Sequence, residues 1–385
     1  MKTVVSVIGK FHLFDLAREL QARQALSCIF TGYPSFKLRH ENLPDHKVKT
    51  FPWVNTPYMA FTGRERLGER LLRAWERLNC GSFDAHVARL MPECDVYVGQ
   101  SSSSLHAGKR ARRIGARYVC DRGSSHIRYQ SELGAEEHRI WGLPPIHTDP
   151  LIIEREEAEY AEADCITVPS TFSLKSFVAK GVAPSKLRRL SYGVNLSHFY
   201  PQGQPDPHRM DILFAGGASL RKGIPYLLQA FKALKHPHKR LFFAGSFSPA
   251  FAQQMVQAGL WSDGIELLGH LNWDQLRQRM SQCHALVLPS IEDGFGLVLA
   301  QALACGCPVI ATDHTGAPDL FEDDQAGYIV PIRRADMLAE RLEQLADSPQ
   351  TQARFRHKAP ELVKNLGGWH QYGEEAMHIY RGLLS

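Results

Sequence analysis

Residues 286–312 read LVLPSIEDGFGLVLAQALACGCPVIAT. The pattern predicts a buried strand, a polar turn, a helix that begins at Gly-Phe-Gly, a tight turn and a second strand. Gly294 and Gly296 leave the first backbone N–H groups of this helix open, and the helix dipole adds positive potential there. The pattern therefore predicts an anion-binding site at this helix end. A helix cap without a ligand is the alternative that the residues leave open.

Polar side chains flank this helix start. Glu292 and Asp293 precede it, where carboxylates accept hydrogen bonds from the hydroxyl groups of a sugar. Gln301 lies eight residues after Asp293, about two helical turns into the helix, and is expected to reach a ribose. The sequence leaves open whether Glu292 or Asp293 is the acidic group of the site.

A second glycine-rich loop lies in residues 211–234, which read DILFAGGASLRKGIPYLLQAFKAL. Strand, loop and helix follow one another, and Arg221 and Lys222 place two cations where a diphosphate would bind. The loop fits neither GxxxxGK[ST] nor GxGxxG, so the motifs of P-loop ATPases and of dinucleotide-binding domains are missing. A turn with solvated basic residues is the alternative interpretation.

Short β-branched runs alternate with helical patterns along the whole chain, which is typical of α/β proteins with parallel sheets. A run rich in glycine and proline separates two such series, so we predict a first domain of residues 1–200 and a second of residues 201–366. Residues 367–385 begin with Gly-Gly and are expected to form a helix that either crosses back to the first domain or completes the second. Residues 35–60 are expected to be irregular.

The composition excludes several classes of protein. The 385 residues are 44% hydrophobic and 22% charged, which is ordinary for a globular protein and disfavours disorder and repeat arrays. No apolar run approaches the roughly 18–20 residues that cross a bilayer, and the N-terminus is too short for a secretory h-region. We expect a cytoplasmic protein, at most bound to the inner face of the cell membrane. The eight cysteines predict buried thiols of a reducing compartment.

The charge is unevenly distributed along the chain. Residues 1–195 hold 28 basic and 21 acidic side chains, against 17 and 19 in the rest. No nucleic-acid-binding motif accompanies the basic half, so no nucleic acid is expected as a partner. Residues 61–79, FTGRERLGERLLRAWERLN, place leucines and Trp75 near one helical face among five arginines. This pattern favours peripheral membrane contact, with an ordinary amphipathic helix packed on the sheet as the alternative.

In their order and spacing, these segments resemble the retaining glycosyltransferases of family 4, which have the GT-B fold of two Rossmann-like parallel-sheet domains facing across a cleft. The resemblance covers most of residues 160–385 and the first domain only in outline. The following segments carry it: AGGASLRKGIPYLLQAF at 215–231, Gly269-His270, residues 286–312, GYIV at 327–330 and SYGVN at 191–195.

The resemblance implies transfer of a sugar from a nucleotide-sugar donor on the second domain to an acceptor selected by the first domain. The implied acceptor is a polysaccharide, a lipid-linked glycan or another glycan. Configuration at the sugar would be retained, and the proton of the acceptor would pass to the departing phosphate oxygen. No cofactor and no bound metal are implied, and no Asp-x-Asp motif occurs in the chain.

The sequence departs from the family pattern at two places. The two glutamates of the family's Glu-x7-Glu motif fall on Asp293 and Gln301, so the first is shorter and the second is neutral. A neutral Gln301 still binds a ribose, with an affinity lower by roughly 1 kcal/mol. The arginine that relatives carry after the first glycine of the loop is Gly217 here, which leaves Arg221 as its substitute.

The first domain adds loops near the expected cleft. Gly9-Lys10-Phe11-His12 follows the first strand, where relatives have a glycine-rich loop near the donor phosphates, and His12 is interpreted as a surface residue of that loop. His126 matches a histidine that contacts the transferred sugar in relatives. The polar residues around it are candidate acceptor or phosphate contacts: Asp121, Arg122, Ser124 and Ser125. The serines of residues 100–106 are expected to cap a helix.

The resemblance therefore implies two sets of site residues. The catalytic set is Arg221, Lys222, Asp293 and His126, with no metal ligands. The donor-binding set is Gly9, Gly216, Gly217, Gly269, His270, Glu292, Gly294, Phe295, Gly296 and Gln301. Other functions stay open: a catalytically silent scaffold subunit, suggested by Asp293 and Gln301, or a nucleotide-sugar epimerase or phosphorylase of the same fold. The missing GxGxxG disfavours a dehydrogenase.

Overall fold

The computed structural model of the protein describes residues 1–61, 67–144 and 146–385. In the first half of these residues the strands are β1 (Thr3–Val7), β2 (Leu26–Thr31), β3 (Val48–Thr50), β4 (Val96–Gln100), β5 (Arg117–Asp121), β6 (Cys165–Val168) and β7 (Leu187–Arg189). They form one parallel sheet in the order β3-β2-β1-β4-β5-β6-β7. Side chains of β1 alternate between its faces, with Val4 in one buried cluster and Val5 and Val7 in another.

Helices cover both faces of this sheet. The helices are α1 (Leu13–Ala22), α2 (Pro52–Ala60), α3 (Glu69–Leu90), α4 (Leu105–Arg113), α5 (Ile127–Ile140), α6 (Pro150–Glu162) and α7 (Thr171–Ala179). Apolar side chains of α1 share a buried cluster with Val5 and Val7, whereas those of α3, α4 and α6 share the cluster of Val4. Each face of the sheet therefore has its own core.

The second half of the chain repeats this architecture. Its strands are β8 (Met210–Ala215), β9 (Lys239–Ala244), β10 (Ile265–Gly269), β11 (Ala285–Leu288), β12 (Val309–Thr312) and β13 (Gly327–Val330). They pair in parallel in the order β10-β9-β8-β11-β12-β13. The helices are α8 (Ile224–Ala233), α9 (Pro249–Gln257), α10 (Trp273–Gln282), α11 (Leu297–Ala304), α12 (Ala317–Leu320), α13 (Ala335–Asp347), α14 (Pro349–Asn365) and α15 (Gly368–Leu384). This is the predicted α/β arrangement of two Rossmann-like sheets.

The strand order reverses between β1 and β4 in the first sheet and between β8 and β11 in the second. Connections leave these strand pairs in opposite directions, so a crevice opens at the carboxyl ends of the strands. The segments at the two crevices are residues 8–12, 101–104, 216–223 and 289–296. Topology alone therefore places both glycine-rich loops at positions where ligands bind.

The last helix joins the two halves of the molecule. Helix α15 packs against α1, and its residues Tyr372, Ala376 and Tyr380 are buried in the same cluster as Val5 and Val7. The chain therefore leaves the second sheet after α14 and returns to the first domain.

Two sequence expectations need correction. Residues 35–60, expected to be irregular, contain β3 and α2. Helix α2 starts at Pro52, which suits a first helical position because the missing N–H has no partner there, and it also contains Pro57. The helix expected within residues 61–79 begins at Glu69, and residues 62–66 lie outside the described residues.

All cysteines of the chain fall within the described residues. They are free thiols, and all except Cys94 are buried. Burial raises the pKa of Cys80 to about 12, so this thiol stays protonated and behaves as a core side chain.

Candidate active site

The carboxyl ends of the two sheets face each other across a cavity of about 880 Å³. The loops after β1, β4 and β5 line it from the first domain, and α11 and the start of α10 line it from the second. The linker between the sheets and Trp369 complete its wall. Its volume lies within the roughly 300–1,000 Å³ that small-molecule sites occupy.

The loop between β8 and α8 is held tightly against the loop after β11. Gly223 has φ 68°, and a Cβ on it would lie 1.9 Å from the carbonyl oxygen of Pro289, so only glycine fits. This approach brings the Lys222 ammonium to the Asp293 carboxylate, with which it forms an ion pair. Arg221 Nη1 donates to Glu292 Oε2 at 2.9 Å. The two predicted phosphate cations are thus paired with the two carboxylates that follow β11.

Glu292 connects the two domains. Its Oε1 accepts hydrogen bonds from Ser124 Oγ at 2.7 Å and from Ser125 N and Oγ at 3.1 and 2.9 Å. Its Oε2 accepts from Gln130 Nε2 at 2.8 Å as well as from Arg221. The side chain is 1% exposed; burial alone would raise its pKa, but the charge of Arg221 and these hydrogen bonds lower the pKa to about 2. The sequence predicts Glu292 as a donor contact, which stays a prediction; in the structure Glu292 makes one of the contacts between the domains.

Asp293 occupies the start of α11. Its Oδ1 accepts a hydrogen bond from Gly296 N at 3.1 Å, and Gly296 has the left-handed φ of 74° that lets the chain enter the helix there. The carboxylate thus sits where the sequence predicts an anion, and Lys222 balances its charge. Asp293 therefore accepts a hydrogen bond at the start of this helix, and binding of a ligand anion there stays a prediction.

Gly294 lies where the two domains come closest. A Cβ on it would be 2.1 Å from the carbonyl oxygen of Gly123 and 2.7 Å from Cα of Ser124. Its own carbonyl oxygen accepts a hydrogen bond from Ser173 Oγ at 3.1 Å. Gly294 therefore allows backbone-to-backbone contact across the cleft.

The remaining predicted donor contacts divide into two groups. Gln301 lines the cavity from α11, and Lys10 lines it beside Gly9, over which the ring of Phe11 is folded. Phe295, by contrast, is 1% exposed and its ring centroid lies 5.3 Å from that of Tyr192, so its side chain belongs to the core and its donor contact stays a prediction. Three predicted residues lie in the loops after β8 and β10, outside the lining of this cavity: Gly216, Gly217 and His270. Gly269 ends β10 with φ 65°.

The second half of the chain matches a known family. Residues 201–362 match the sequence profile described as Glycosyl transferases group 1. The second domain is thus similar to the group 1 glycosyl transferases. The matched residues include Arg221, Lys222, Asp293 and Gln301, and of these four Gln301 lines the cavity.

Several glycosyltransferases are similar in sequence to this chain. A Campylobacter jejuni enzyme named N-acetylgalactosamine-N,N'-diacetylbacillosaminyl-diphospho-undecaprenol 4-alpha-N-acetylgalactosaminyltransferase is 25% identical over 209 residues, 53% of this chain and 57% of that protein. The gpi3 subunit of phosphatidylinositol N-acetylglucosaminyltransferase from Schizosaccharomyces pombe is 27% identical over 190 residues, 47% of this chain and 41% of that protein. The chain thus spans about half the length of these relatives.

Solved structures agree with the GT-B fold over the whole chain. Sucrose-phosphate synthase from Thermosynechococcus elongatus has a TM-score of 0.74 at 20% identity and covers 100% of this chain and 99% of its own. Anabaena HepE in complex with UDP and glucose has a TM-score of 0.73 at 16% identity, covering 99% of this chain and 100% of its own. The second domain therefore lies in a two-domain GT-B fold.

His126 lies at the start of α5, directly after the serines that contact Glu292. His126 is 3% exposed, its Nδ1 accepts a hydrogen bond from Arg128 N at 3.2 Å at the start of α5, and its ring packs on Tyr160 and Phe177. Burial lowers the pKa of His126 to about 4, which keeps Nδ1 free to accept this bond at neutral pH. His126 is thus the N-cap of α5 in this structure, and its contact with a sugar stays a prediction.

The loops after β4 and β5 also differ from expectation. The start of α4 is capped by Asp84, which accepts from His106 N at 2.7 Å and Ala107 N at 2.8 Å, so the serine side chains are not the cap. Glu159 accepts from Ser102 N at 2.6 Å and Ser104 N at 2.8 Å in the loop before the helix. Arg122 is buried against Glu156, with Nη1 at 2.9 Å from a carboxylate oxygen. Ser124 lines the cavity. Together with Ser125, it contacts Glu292 of the second domain.

From the sequence, His12 was interpreted as a surface residue, whereas most of its side chain is buried in the structure. Its Nε2 lies 2.6 Å from Asp121 Oδ1, the side chain is 11% exposed, and the residue lines the cavity. A histidine directly after a first strand and an aspartate at the end of another strand were the available signals, because parallel strands bring their carboxyl ends to one edge.

Proposed function

We propose that the protein is a retaining glycosyltransferase that moves a sugar from a nucleotide-sugar to a glycan or lipid-linked acceptor. The carrying observation is that the second domain, which resembles the group 1 glycosyl transferases, pairs Lys222 with Asp293 just before α11 and lines the interdomain cavity with Gln301. Relatives support this proposal, since their names describe sugar transfer and one solved neighbour was determined with UDP and glucose.

The proposed donor site uses two ion pairs described above, Lys222 with Asp293 and Arg221 with Glu292. Lys222 and Arg221 stabilise the negative charge that develops on the leaving diphosphate, and the start of α11 adds its dipole. Gln301 bonds the ribose from one end of the site. Contact between the domains holds donor and acceptor together and excludes water, so catalysis is mainly positional and electrostatic.

We propose that this reaction needs no divalent metal. The cations of Arg221 and Lys222 take the position in which a metal would neutralise the diphosphate. The chain has no Asp-x-Asp motif, which supports this proposal. Addition of EDTA to the assay is expected to leave the transfer rate unchanged, and a loss of activity that Mg²⁺ or Mn²⁺ restores would contradict it.

A thermal-shift panel of nucleoside diphosphates and nucleotide-sugars tests the donor site. A ligand that binds only the folded protein raises its melting temperature. We expect one nucleotide series to do so with the wild type, and Arg221→Ala/Lys222→Ala to lose the shift. The control is Lys235→Ala/Lys364→Ala, which removes two exposed lysines of the same domain and is expected to keep it.

The outcomes of this panel separate the alternatives. Absence of a shift with every nucleotide would overturn the proposed donor site. Binding without turnover in any acceptor mixture would indicate a scaffold subunit, an alternative favoured by the neutral Gln301. Conversion of the donor without an acceptor would indicate an epimerase or phosphorylase. Retention is read from the anomeric configuration of the product by NMR.

We also propose that the protein contacts a membrane through the first domain. Leu71 and Leu78 of α3 are 63% and 59% exposed, and Trp75 between them packs on Tyr58 and Phe61. No described helix combines the length and the apolar character that crossing a bilayer requires. The contact would therefore be peripheral.

Vesicle co-sedimentation tests this contact. The wild type is expected to bind vesicles that contain phosphatidylglycerol more strongly than vesicles of phosphatidylcholine alone. Leu71→Glu/Leu78→Glu is expected to abolish binding because it places charge in the apolar stripe. Leu90→Glu, which changes an exposed leucine at the far end of the same helix, is the matched control. Equal binding by all three proteins would contradict this assignment.

A further inference from the structure

A second pocket, of about 700 Å³, lies between the two domains. Helix α5 and the segment after it form one side, and the loop after β8 and the start of α9 form the other. We call this space the α5 pocket. Its volume is typical of sites that hold a small molecule. Its lining includes the apolar residues Leu143, Ile146, Leu220 and Phe251 and the polar residues Gln130 and Arg221.

The side chain of Glu292 stands between the α5 pocket and the cavity described above. Ser124 lines that cavity and donates to Glu292 Oε1 at 2.7 Å. Gln130 and Arg221 line the α5 pocket and donate to Oε2 at 2.8 and 2.9 Å. Gln130 Nε2 also donates to Ser124 Oγ at 3.1 Å. One layer of hydrogen-bonded side chains therefore separates the two spaces.

The proposed reaction needs the acceptor beside the leaving phosphate. In this retaining transfer, the acceptor oxygen bonds to the anomeric carbon on the face from which the phosphate oxygen leaves, and that phosphate oxygen takes the hydroxyl proton. In the proposed donor site, Gln301 bonds the ribose in the cavity and Arg221 stabilises the diphosphate. Because Arg221 lines the α5 pocket and its side chain is 45% exposed, a molecule in this pocket lies next to the departing phosphate. The α5 pocket therefore has the position that the acceptor needs.

The lining of the α5 pocket indicates the chemistry of this acceptor. Ile146 is 61% exposed and Phe251 is partly buried, so both leave apolar surface that a ligand can cover. The hydroxyl groups of a free glycan would lose water against Leu143, Ile146 and Phe251 without gaining hydrogen bonds, whereas an apolar chain is stabilised by leaving water there. Ser131 and His138 of α5 also line the pocket and offer hydrogen bonds to a sugar. The lining therefore favours an acceptor whose sugar is joined to an apolar chain.

The rim of the α5 pocket lies beside helix α3. Arg73 of α3 donates to the carbonyl oxygen of His147 at 3.1 Å, and His147 directly follows Ile146. Helix α3 also carries Leu71 and Leu78, the exposed leucines for which we propose membrane contact. A chain that leaves the pocket past Ile146 therefore emerges next to this helix. The arrangement favours a membrane lipid over a soluble apolar compound.

We propose that the α5 pocket holds the apolar chain of a lipid-linked acceptor and presents the acceptor sugar to the donor beside Arg221. This inference rests on the proposed function and narrows its acceptor from glycans in general to lipid-linked glycans. Donor and acceptor then approach from the two interdomain spaces and meet at the layer formed by Ser124, Gln130 and Glu292.

Prenyl phosphates test whether the pocket binds a chain. Farnesyl phosphate, which has a long prenyl chain, is compared with isopentenyl phosphate, which has a short one, by isothermal titration calorimetry below the concentration at which micelles form. We expect the wild type to bind farnesyl phosphate more tightly by about 10-fold or more. Ile146→Glu is expected to weaken this binding by about 10-fold or more, because it places a charge against the chain. The matched control is Ile140→Glu at the end of α5, a 50% exposed isoleucine outside the pocket lining, which is expected to bind as the wild type does.

The transfer assay then separates the acceptor site from the donor site. It uses a farnesyl-linked analogue of the acceptor found for the wild type, without vesicles. Ile146→Glu is expected to raise KM for this acceptor by about 10-fold and to leave kcat and the nucleotide-induced thermal shift unchanged. Removal of the farnesyl chain from the acceptor is expected to raise KM of the wild type by a similar factor and KM of Ile146→Glu little further, because both changes remove the same contact.

Several results would overturn the proposal. Equal affinities of the wild type for farnesyl and isopentenyl phosphate would show that the pocket does not hold a chain. A wild-type KM for Ile146→Glu, or equal use of the free and the farnesyl-linked glycan, would place the acceptor elsewhere. Failure of the proposed function is recognised separately, because the wild type would then show neither a nucleotide-induced shift nor transfer. Binding of farnesyl phosphate in that case would make the pocket a lipid site without a role in transfer.

Discussion

Replacing Gly294 with alanine is expected to separate the two domains and to lower sugar transfer by about 10²-fold or more. The added Cβ would lie 2.1 Å from the carbonyl oxygen of Gly123 and 2.7 Å from Cα of Ser124. Both neighbours are backbone atoms of a loop that is held by the hydrogen bonds of Glu292, so no flexible side chain can move aside. Each domain keeps its own core, and the strain is relieved by opening the cleft.

Small-angle X-ray scattering and the transfer assay measure the two consequences. The radius of gyration of Gly294→Ala is expected to rise while its circular dichroism spectrum stays that of the wild type. The control is Gly81→Ala, in the middle of α3, where a Cβ would meet no atom within 4 Å. It is expected to keep the compact shape and to gain stability from the helix preference of alanine. A compact and active Gly294→Ala would show that the domains do not need this contact.

The surroundings of Gly294 show which structural features could be predicted from the sequence and which could not. The pattern around it predicts a strand, a turn and a helix, and the structure has β11 and α11 there because buried apolar runs and glycine turns are local signals. Contact of Gly294 with Gly123 joins residues in different domains and has no local signal. The position of a site on a parallel sheet could be predicted, whereas its partners across the cleft could not.

The histidines illustrate the same limit. His126 was assigned to the sugar because relatives have a histidine there, and its sequence context did not predict that its ring would accept a hydrogen bond from Arg128 N and pack on Tyr160 and Phe177. His12 was interpreted as a surface residue because nothing in its neighbours in sequence predicts Asp121 beside it. Prolines at 52 and 57 similarly hid α2, since proline inside a helix is locally unfavourable and only packing reveals that it is tolerated.

Glu292→Gln is expected to weaken closure of the domains by roughly 1.5–3 kcal/mol at neutral pH, the range for a hydrogen bond to a charged group. Against the effect of burial, the charge of Arg221 and the hydrogen bonds from the first domain lower the pKa of Glu292 to about 2, so the ionised carboxylate is the form that the closed protein binds. Both carboxylate oxygens accept hydrogen bonds, from Ser124 and Ser125 on one side and from Gln130 and Arg221 on the other. Glutamine has the same shape as glutamate, but its NH₂ group cannot accept a hydrogen bond. The donors on the side that the NH₂ group faces therefore lose their acceptor.

The pH dependence of domain closure in the wild type also tests this prediction. The pKa of Glu292 is lower in the closed state than when the side chain is in water. The contribution of Glu292 to closure is therefore complete above about pH 4.5 and is lost as pH falls toward 2. Scattering curves of the wild type are expected to show opening in this acid range, whereas those of Glu292→Gln are expected to show an open form already at pH 7. The matched control is Glu157→Gln, whose carboxylate also binds an arginine through two hydrogen bonds but is 33% exposed. Exposed pairs contribute about 0–1 kcal/mol, so this variant is expected to stay closed. A Glu292→Gln protein as compact as the wild type at pH 7 would show that Ser173 and the other contacts suffice, and that the buried carboxylate does not hold the cleft shut.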